Sequence, residues 1–224
     1  MLRRLVGDFS NFARLPHAEL TNHDLRDFFR ECKDQLSHLE DASFAPDSAF
    51  GDMDTAGTSG AVPGAVRHVK VDWKVPDGPF PAAIDRQMLR RVLVNLVSNS
   101  VQAIRDARKG EALPLGHVQI SVRHQGAASI LVVEDDGPGI AANLRDRIFE
   151  PYYTTKSDGT GLGLAIVKKI VVEHGGAIEI DQSPMGGARF TIRLPGPRSM
   201  EIAAIKEARE RAREAGVATG EAAP

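Results

Sequence analysis

The sequence lacks the cysteines of a disulfide-bonded or cysteine-rich zinc protein, the long apolar runs of a membrane-spanning protein and the positive net charge of a typical nucleic-acid-binding protein. Its 224 residues include one cysteine, Cys32, which excludes an internal disulfide and a cysteine-rich zinc site. No apolar run approaches the roughly 20 residues that a membrane-spanning helix requires, and the first residues do not lead into a signal peptide. The 28 basic and 30 acidic residues leave a net charge of −2, which argues against a protein that binds nucleic acid through a basic surface. These absences predict a cytoplasmic domain; a membrane segment in a longer parent chain stays open.

What is present divides into four parts. Residues 1–16 carry an apolar stripe at helical spacing, which is either a core face or part of a longer helix whose partner is missing. Residues 17–67 predict a linker helix, beginning at Thr21 or Asn22, and then a loop that we expect to be mobile. Residues 68–197 contain the regular patterns of a folded domain, and residues 198–224 predict a helical or disordered tail.

Hydrophobic periodicity predicts the order of elements within the folded domain. Alternating apolar residues indicate strands, and apolar residues at steps of three and four indicate helices. The predicted elements are a strand over 68–75, a helix over 85–108, a hairpin of strands over 118–122 and 130–134, a short helix over 144–148, a helix over 163–174, and strands over 177–181 and 188–194.

Two asparagines lie four residues apart on the first of these helices. The spacing puts Asn95 and Asn99 on one face, beside the apolar stripe. An amide carbonyl is a hard, neutral oxygen ligand, which suits Mg²⁺ whose negative partners are phosphates. Two ordinary surface asparagines are the alternative.

An acidic and glycine-rich segment, Asp135 to Gly139, directly follows a predicted strand. Its glycines allow a ligand to approach the backbone closely. An ionised carboxylate only accepts hydrogen bonds, so Asp135 suits an exocyclic amine such as that of adenine. An acidic turn without a ligand is the alternative.

A second glycine-rich segment, Gly159 to Leu164, leads into a helix. Exposed backbone N–H groups and the positive end of the helix dipole favour an anion such as a polyphosphate. The segment lacks the Gly-Lys-Ser/Thr of a P-loop and the surrounding βαβ unit of a dinucleotide-binding fold.

These three motifs in this order resemble the GHKL ATP-binding superfamily, and within it the catalytic domain of sensor histidine kinases. The resemblance covers about residues 68–195, and residues 8–16 resemble the end of the dimerisation helix in NtrY-type nitrogen-regulation sensor kinases. It implies an α/β sandwich of the Bergerat type: a mixed, mostly antiparallel sheet with helices on one face. Residues 1–16 would then be the remnant of a dimerisation helix. The matching stretches are 93–99, 135–139, 148–156, 159–166 and 186–190.

The resemblance also implies ATP and Mg²⁺ as cofactors and a role for each motif. Asn99 would bind the metal, Asn95 and Lys156 would act at the phosphates, and Asp135 would receive the adenine amine. Phe149 and Tyr152 would anchor a mobile lid over the nucleotide. The nucleotide-binding residues that it implies are Asn95, Asn99, Asp135, Gly137, Gly139, Ile140, Thr154, Thr155, Lys156, Gly159, Thr160, Gly161, Leu162, Gly163 and Leu164.

The phosphoacceptor of such kinases is absent from this sequence. None of the seven histidines begins the motif of a histidine, an acidic residue and a following Asn-Pro. We therefore expect the histidine-phosphotransfer domain of a parent kinase and a response regulator as partners, no nucleic acid, and a monomer or weak dimer.

Two other classes stay open. A GHKL-type ATPase would carry a glutamate at position 95 as the base for water, whereas this chain has asparagine. A nucleotide-sensing or protein-interaction module would not need the phosphate glycines and Asn99, which are intact.

Overall fold

The computed structural model describes residues 16–36, 69–108, 116–156 and 159–196. The apolar stripe at helical spacing within residues 1–16, the predicted mobile loop and the tail lie outside the described residues. The elements are β1 (Thr21–Asp24), α1 (Leu25–Leu36), β2 (Lys70–Lys74), β3 (Pro81–Ile84), α2 (Arg86–Ala107), β4 (His117–Gln125), β5 (Ala128–Asp135), short 3₁₀ turns over Ala142–Leu144 and Arg147–Phe149, α3 (Gly163–Glu173), β6 (Ala177–Gln182) and β7 (Ala188–Leu194).

Five strands form the main sheet, in the order β2-β4-β5-β7-β6. Strands β2 and β4 pair in parallel, and the other neighbours pair antiparallel. Alternate residues of β4, Val118, Ile120 and Val122, are buried in one core with α2 and α3. The predicted fold class, a mixed and mostly antiparallel sheet with helices on one face, is therefore confirmed.

The opposite face of the sheet carries a row of polar side chains across its central strands. Gln119 on β4 donates from Nε2 to Glu134 Oε1 on β5 over 2.8 Å. Glu134 pairs in turn with Arg189 on β7 at 3.4 Å. This alternation of apolar and polar faces is what a sheet covered by helices on one side requires.

A hydrogen bond joins the beginning of α2 to the end of α3. Asp85 caps α2 by accepting the Met88 N–H over 3.0 Å. Its own N–H donates to Nε2 of the buried His174, which follows α3, over 3.0 Å. Nδ1 of His174 lies 2.8 Å from the Ile170 carbonyl oxygen, so the imidazole donates there. The antiparallel pair brings the middle of α2 beside the beginning of α3.

The linker helix begins later than the sequence pattern predicts. Thr21 to Asp24 form β1, which pairs antiparallel with β3, so the predicted cap at Thr21 or Asn22 is wrong. Asp24 instead accepts the N–H groups of Arg26 at 2.9 Å and Phe80 at 3.1 Å. The apolar stripe of α1, which includes Cys32, lies in the main core, so this stripe is a core face.

Two other predicted elements differ in detail. The predicted strand over 68–75 is a five-residue strand, Lys70–Lys74. Two 3₁₀ turns, Ala142–Leu144 and Arg147–Phe149, replace the predicted short helix over 144–148. Such short turns follow local contacts rather than helical periodicity.

Candidate functional site

The three motifs converge where α2, the end of β5 and the beginning of α3 meet. Asn95 is 7% exposed, and its Nδ2 donates to the Arg91 carbonyl oxygen over 2.9 Å. Its Oδ1 therefore points away from its own helix turn, and a Cβ at Gly163 would lie 3.0 Å from it. Glycine at 163 lets the first turn of α3 approach this amide closely. The structure thus places a polar acceptor beside a helix N-terminus, where backbone N–H groups are available.

Asp135 is buried at the end of β5, with 2% of its surface exposed. Its Oδ1 accepts the N–H groups of Gly137 and Ala188, each over 3.0 Å. Its Oδ2 accepts the Ser100 hydroxyl over 2.6 Å. Each carboxylate oxygen has about two lone-pair directions, so Oδ2 retains capacity for one more donor. The carboxylate is therefore fixed in position and able to accept a hydrogen bond from a ligand.

Close packing around this carboxylate requires glycine at 187 and favours it at 137. A Cβ at Gly187 would lie 2.1 Å from Asp135 Oδ1, and a Cβ at Gly137 would lie 3.0 Å from the same oxygen. Gly139 has a left-handed backbone with φ of 71° and lies against Gly187. The glycines thus let three stretches of backbone close around Asp135.

Asp136, the neighbouring carboxylate, faces a different set of partners. Its Oδ1 accepts the His117 N–H over 2.9 Å, and its Oδ2 pairs with Arg108 at 3.1 Å. Arg108 also donates to the Asp136 carbonyl oxygen over 2.9 Å. Asp136 therefore ties the end of β5 to the end of α2 and to β4, and only Asp135 faces the candidate site.

The segment between β5 and α3, which the resemblance predicts to be a lid, is closed at its base by a backbone hydrogen bond. The Tyr152 N–H donates to the Gly161 carbonyl oxygen over 2.9 Å, and both residues have a left-handed φ of 67°. A Cβ at 161 would lie 2.5 Å from the Tyr152 carbonyl carbon. Glycine at 161 is therefore required by the base of the lid, whatever part its N–H plays toward a ligand.

The side chains that anchor the lid differ in part from the predicted pair. Phe149 is half-buried against the core, with Lys168 Nζ 5.6 Å from its ring centre. Tyr153 is also half-buried, with the Arg147 guanidinium 4.8 Å from its ring centre. Tyr152 is 50% exposed, so its expected role as a side-chain anchor is wrong and it contributes through its backbone.

Lys156 extends from the lid to α2. Its Nζ donates to Gln102 Oε1 over 2.6 Å and to Asn99 Oδ1 over 3.2 Å. Burial lowers the pKa of the Lys156 ammonium from its usual 10.5, and the more distant charge of Asp106 acts in the opposite direction. Asn99 therefore presents its oxygen to a cation, as a metal ligand must.

The remaining predicted residues differ in exposure and in their local contacts. Thr154 Oγ1 accepts the Lys156 N–H over 3.1 Å, and a Cβ at Gly159 would lie 2.6 Å from the same oxygen. Leu162 is buried in the core, so only its backbone can face a ligand. Thr155 is exposed; Ile140, Thr160 and Leu164 are partly exposed. Their roles toward a nucleotide stay predictions.

Sequence reasoning gave no role to three residues of the site, although Gly187 lies in the matching stretch 186–190. Ser100 and Gly187 hold or shape Asp135, and Gln102 binds Lys156. Gln102 lies three residues after Asn99 on the same helix, a spacing that marked it as a neighbour. Ser100 and Gly187 lie 35 and 52 residues from Asp135 in the chain, so no local pattern reveals their contacts.

Residues 84–198 match the family described as "Histidine kinase-, DNA gyrase B-, and HSP90-like ATPase". Nitrogen regulation protein NtrY from Azorhizobium caulinodans is 32% identical over 201 residues, which are 88% of this chain and 22% of that protein. C4-dicarboxylate transport sensor protein DctB from Rhizobium meliloti is 41% identical over 119 residues, which are 53% of this chain and 18% of that protein. The chain thus spans about a fifth of the length of these two curated relatives.

Solved structures show the same architecture. Full-length ShkA in complex with AMPPNP has a TM-score of 0.62 and 26% identity, covering 87% of this chain and 35% of that one. The catalytic domain of histidine kinase ThkA has a TM-score of 0.56 and 25% identity, covering 79% of this chain and 95% of that one. Within the described residues, the helices are too short or too polar to cross a bilayer.

Proposed function

The chain belongs to the histidine kinase-, DNA gyrase B- and HSP90-like ATPase family, and from this membership we propose that it is the ATP-binding catalytic domain of a two-component sensor histidine kinase. It transfers the γ-phosphoryl group of ATP to a histidine located outside this chain. The observation that carries the proposal is the buried Asp135 carboxylate, which three protein donors fix beside the asparagines of α2. We assign residues 68–197 to this domain, and β1 and α1 pack onto it as part of the same core.

Asp135 recognises the adenine base. Its Oδ1 is occupied by two backbone N–H groups, whereas its Oδ2 has a single protein donor, Ser100. The 6-amino group of adenine supplies the additional donor that Oδ2 can accept. A carboxylate in this position also disfavours guanine, whose carbonyl oxygen at the same edge would meet a second acceptor.

The phosphates lie along α2 and the beginning of α3. The N–H groups of residues 159–164 and the positive end of α3 bind phosphate oxygens, with Asn95 beside them. Asn99 fits a metal because its Oδ1 already accepts from a cation, the Lys156 ammonium. Mg²⁺, when bound, neutralises charge on the phosphate oxygens, which is the main requirement of phosphoryl transfer.

The identity of residue 95 favours transfer over hydrolysis. An amide cannot take a proton from water, so Asn95 cannot act as the general base that an ATPase of this family requires. Its Nδ2 is engaged by the Arg91 carbonyl oxygen, which leaves Oδ1 to face the first turn of α3. Asn95 therefore orients groups at the phosphates, and transfer to a histidine needs no base at this position because a neutral imidazole nitrogen attacks with its own lone pair.

The partners follow from the same reaction. The acceptor histidine belongs to the dimerisation and histidine-phosphotransfer domain of a parent kinase, and a response regulator takes the phosphoryl group from it. The domain works in the cytoplasm, where ATP is available, whether or not the parent kinase carries a membrane anchor. By itself we propose that the chain is a monomer or weak dimer.

A phosphotransfer assay tests the proposed function. The protein is mixed with γ-labelled ATP, Mg²⁺ and a separately produced acceptor domain, and label on histidine is identified by its lability in acid. We expect labelled histidine with the parent protein and with Gln87→Ala, an exposed position on α2, but not with Asn99→Ala. Release of inorganic phosphate without labelled histidine would support the ATPase alternative, and ATP binding without either product would support the nucleotide-sensing alternative.

A further inference from the structure

The Lys156 ammonium lies between two neutral amide oxygens of α2. Nζ is 2.6 Å from Gln102 Oε1 and 3.2 Å from Asn99 Oδ1. Asn99 and Gln102 are three residues apart and so share one face of the helix. The shorter of the two contacts is to Gln102, which no part of the proposed reaction yet uses.

These partners hold the cation without neutralising it. Among the described residues, the hydrogen-bond acceptors of Nζ are both amides, and Asp106 acts only as a more distant charge. A buried ammonium is costly unless it is hydrogen-bonded, and a carboxylate partner would cancel its charge. The two amide partners accept from two of its three N–H groups and keep its full charge available for an incoming anion.

One of the two acceptors has a second use. Asn99 Oδ1 is the oxygen that the proposed function gives to the metal, and here it accepts from Lys156. Two cations on one amide oxygen repel each other, so the metal can bind Asn99 only when Lys156 leaves it. Gln102 is not needed by the metal and can keep its hydrogen bond.

We propose that Gln102 is the positioning residue for Lys156. It holds the ammonium beside Asn99 in the nucleotide-free protein, where Lys156 takes the place of the metal. It then keeps the ammonium at the terminal phosphate when the metal occupies Asn99. This inference rests on the proposed function, because it assumes that a nucleoside triphosphate binds at Asp135 and α3.

Binding of ATP and ADP to purified protein, measured by calorimetry in excess EDTA and again in excess Mg²⁺, tests the proposal. Gln102→Met keeps the length of the side chain and removes the acceptor. In EDTA the preference for ATP over ADP should fall by about tenfold, the factor for one charge-assisted hydrogen bond. The loss should be smaller in Mg²⁺, because the metal then carries part of the phosphate charge. Gln87→Met, an exposed glutamine on the same helix, is the matched control and should behave like the parent.

A double variant separates positioning from a structural role. If Gln102 acts through Lys156, then Gln102→Met combined with Lys156→Met should bind like Lys156→Met alone. The proposal would be overturned if the losses in ATP binding from the two single substitutions added in the double variant. It would also be overturned if Gln102→Met bound ATP and ADP as Gln87→Met does. If the parent protein binds no ATP, the proposed function itself fails; if it binds ATP and only the Gln102 effects are absent, the nucleotide site stands and this inference is wrong.

Discussion

Replacing Asp135 with asparagine should change which base the protein prefers. The amide oxygen of the substituted side chain can accept the N–H groups of Gly137 and Ala188, now held by Asp135 Oδ1 over 3.0 Å each. The NH₂ group of the substituted side chain then replaces Oδ2, and the Ser100 hydroxyl can rotate to accept from it. Asp135→Asn therefore leaves the buried hydrogen bonds satisfied and reverses the polarity of the single group that faces the base.

The magnitude follows from the hydrogen bonds at this position. Loss of a charge-assisted bond from the adenine amine costs about 1.5–3 kcal/mol, or about ten- to hundredfold in Kd for ATP. The new donor can bind the carbonyl oxygen of guanine, so affinity for GTP should rise. The ratio of the two dissociation constants should therefore change by more than either constant alone.

Calorimetric titration of each variant with ATP and GTP in the presence of Mg²⁺ measures this ratio. Asp136→Asn is the matched control, because that carboxylate contacts Arg108 and the His117 N–H and faces away from Asp135. We expect the control to keep the parent ratio. A parent-like ratio for Asp135→Asn, in a variant that unfolds at the parent temperature, would refute base recognition by Asp135.

Three further predictions concern the lid, the core and the first strand of the main sheet. Gly161→Ala should lower the free energy of unfolding in urea by more than the control variant Gly126→Ala, which should lose the ~1–2 kcal/mol that a left-handed backbone costs alanine. The reason is that a Cβ at 161 meets the Tyr152 backbone at 2.5 Å, whereas a Cβ at 126 meets nothing within 4 Å. Equal losses would contradict this. Cys32 should be alkylated far more slowly in the folded protein than in urea, because it is fully buried and burial raises the pKa of its thiol to about 11. Equal alkylation rates would show that α1 does not pack as described. Asp72→Asn should destabilise the folded protein at neutral pH, because hydrogen bonds from Lys70 and His117 lower the pKa of Asp72 below 3.8. Unfolding measured at several pH values should show the difference in stability between parent and variant shrinking as the pH falls from 3.8 through this lowered pKa.

The long elements could be predicted because their own patterns match their environment. The apolar stripe of α2 faces one core along its whole length, and Asp85 caps it as a helix start of this kind requires. The hairpin of β4 and β5 follows from an alternating run in β4 and a continuous apolar run in β5, on either side of Gly126, which has the left-handed φ of 62° that the turn needs. In these elements local preference and tertiary packing agree.

The short elements depend on contacts that sequence patterns do not contain. β1 and β3 have four residues each and are strands because they pair with each other. Even their closest pair in sequence, Asp24 with Pro81, lies 57 residues apart in the chain. Pro81 and two alanines carry almost no strand preference, so β3 is not recognisable alone. Tertiary pairing overrides the helix-capping preference of Thr21 and Asn22.

The site divides in the same way. Asn95, Asn99 and Asp135 could be located because each belongs to a short motif with its own spacing. Ser100 binds Asp135 and Gln102 binds Lys156; neither was predicted, because the fold brings these two partners to α2. Burial of the Lys156 ammonium is likewise a property of the assembled lid.

The most direct test of the account is calorimetric titration of the purified protein with ATP, with Mg²⁺ present and with EDTA in its place. We expect saturable binding at one site that Mg²⁺ strengthens, with Asp135→Ala binding weakly in both conditions and Asn99→Ala losing the benefit of Mg²⁺. Heat that does not exceed dilution, or parent-like binding by both variants, would contradict the assignment of this cleft as a Mg·ATP site.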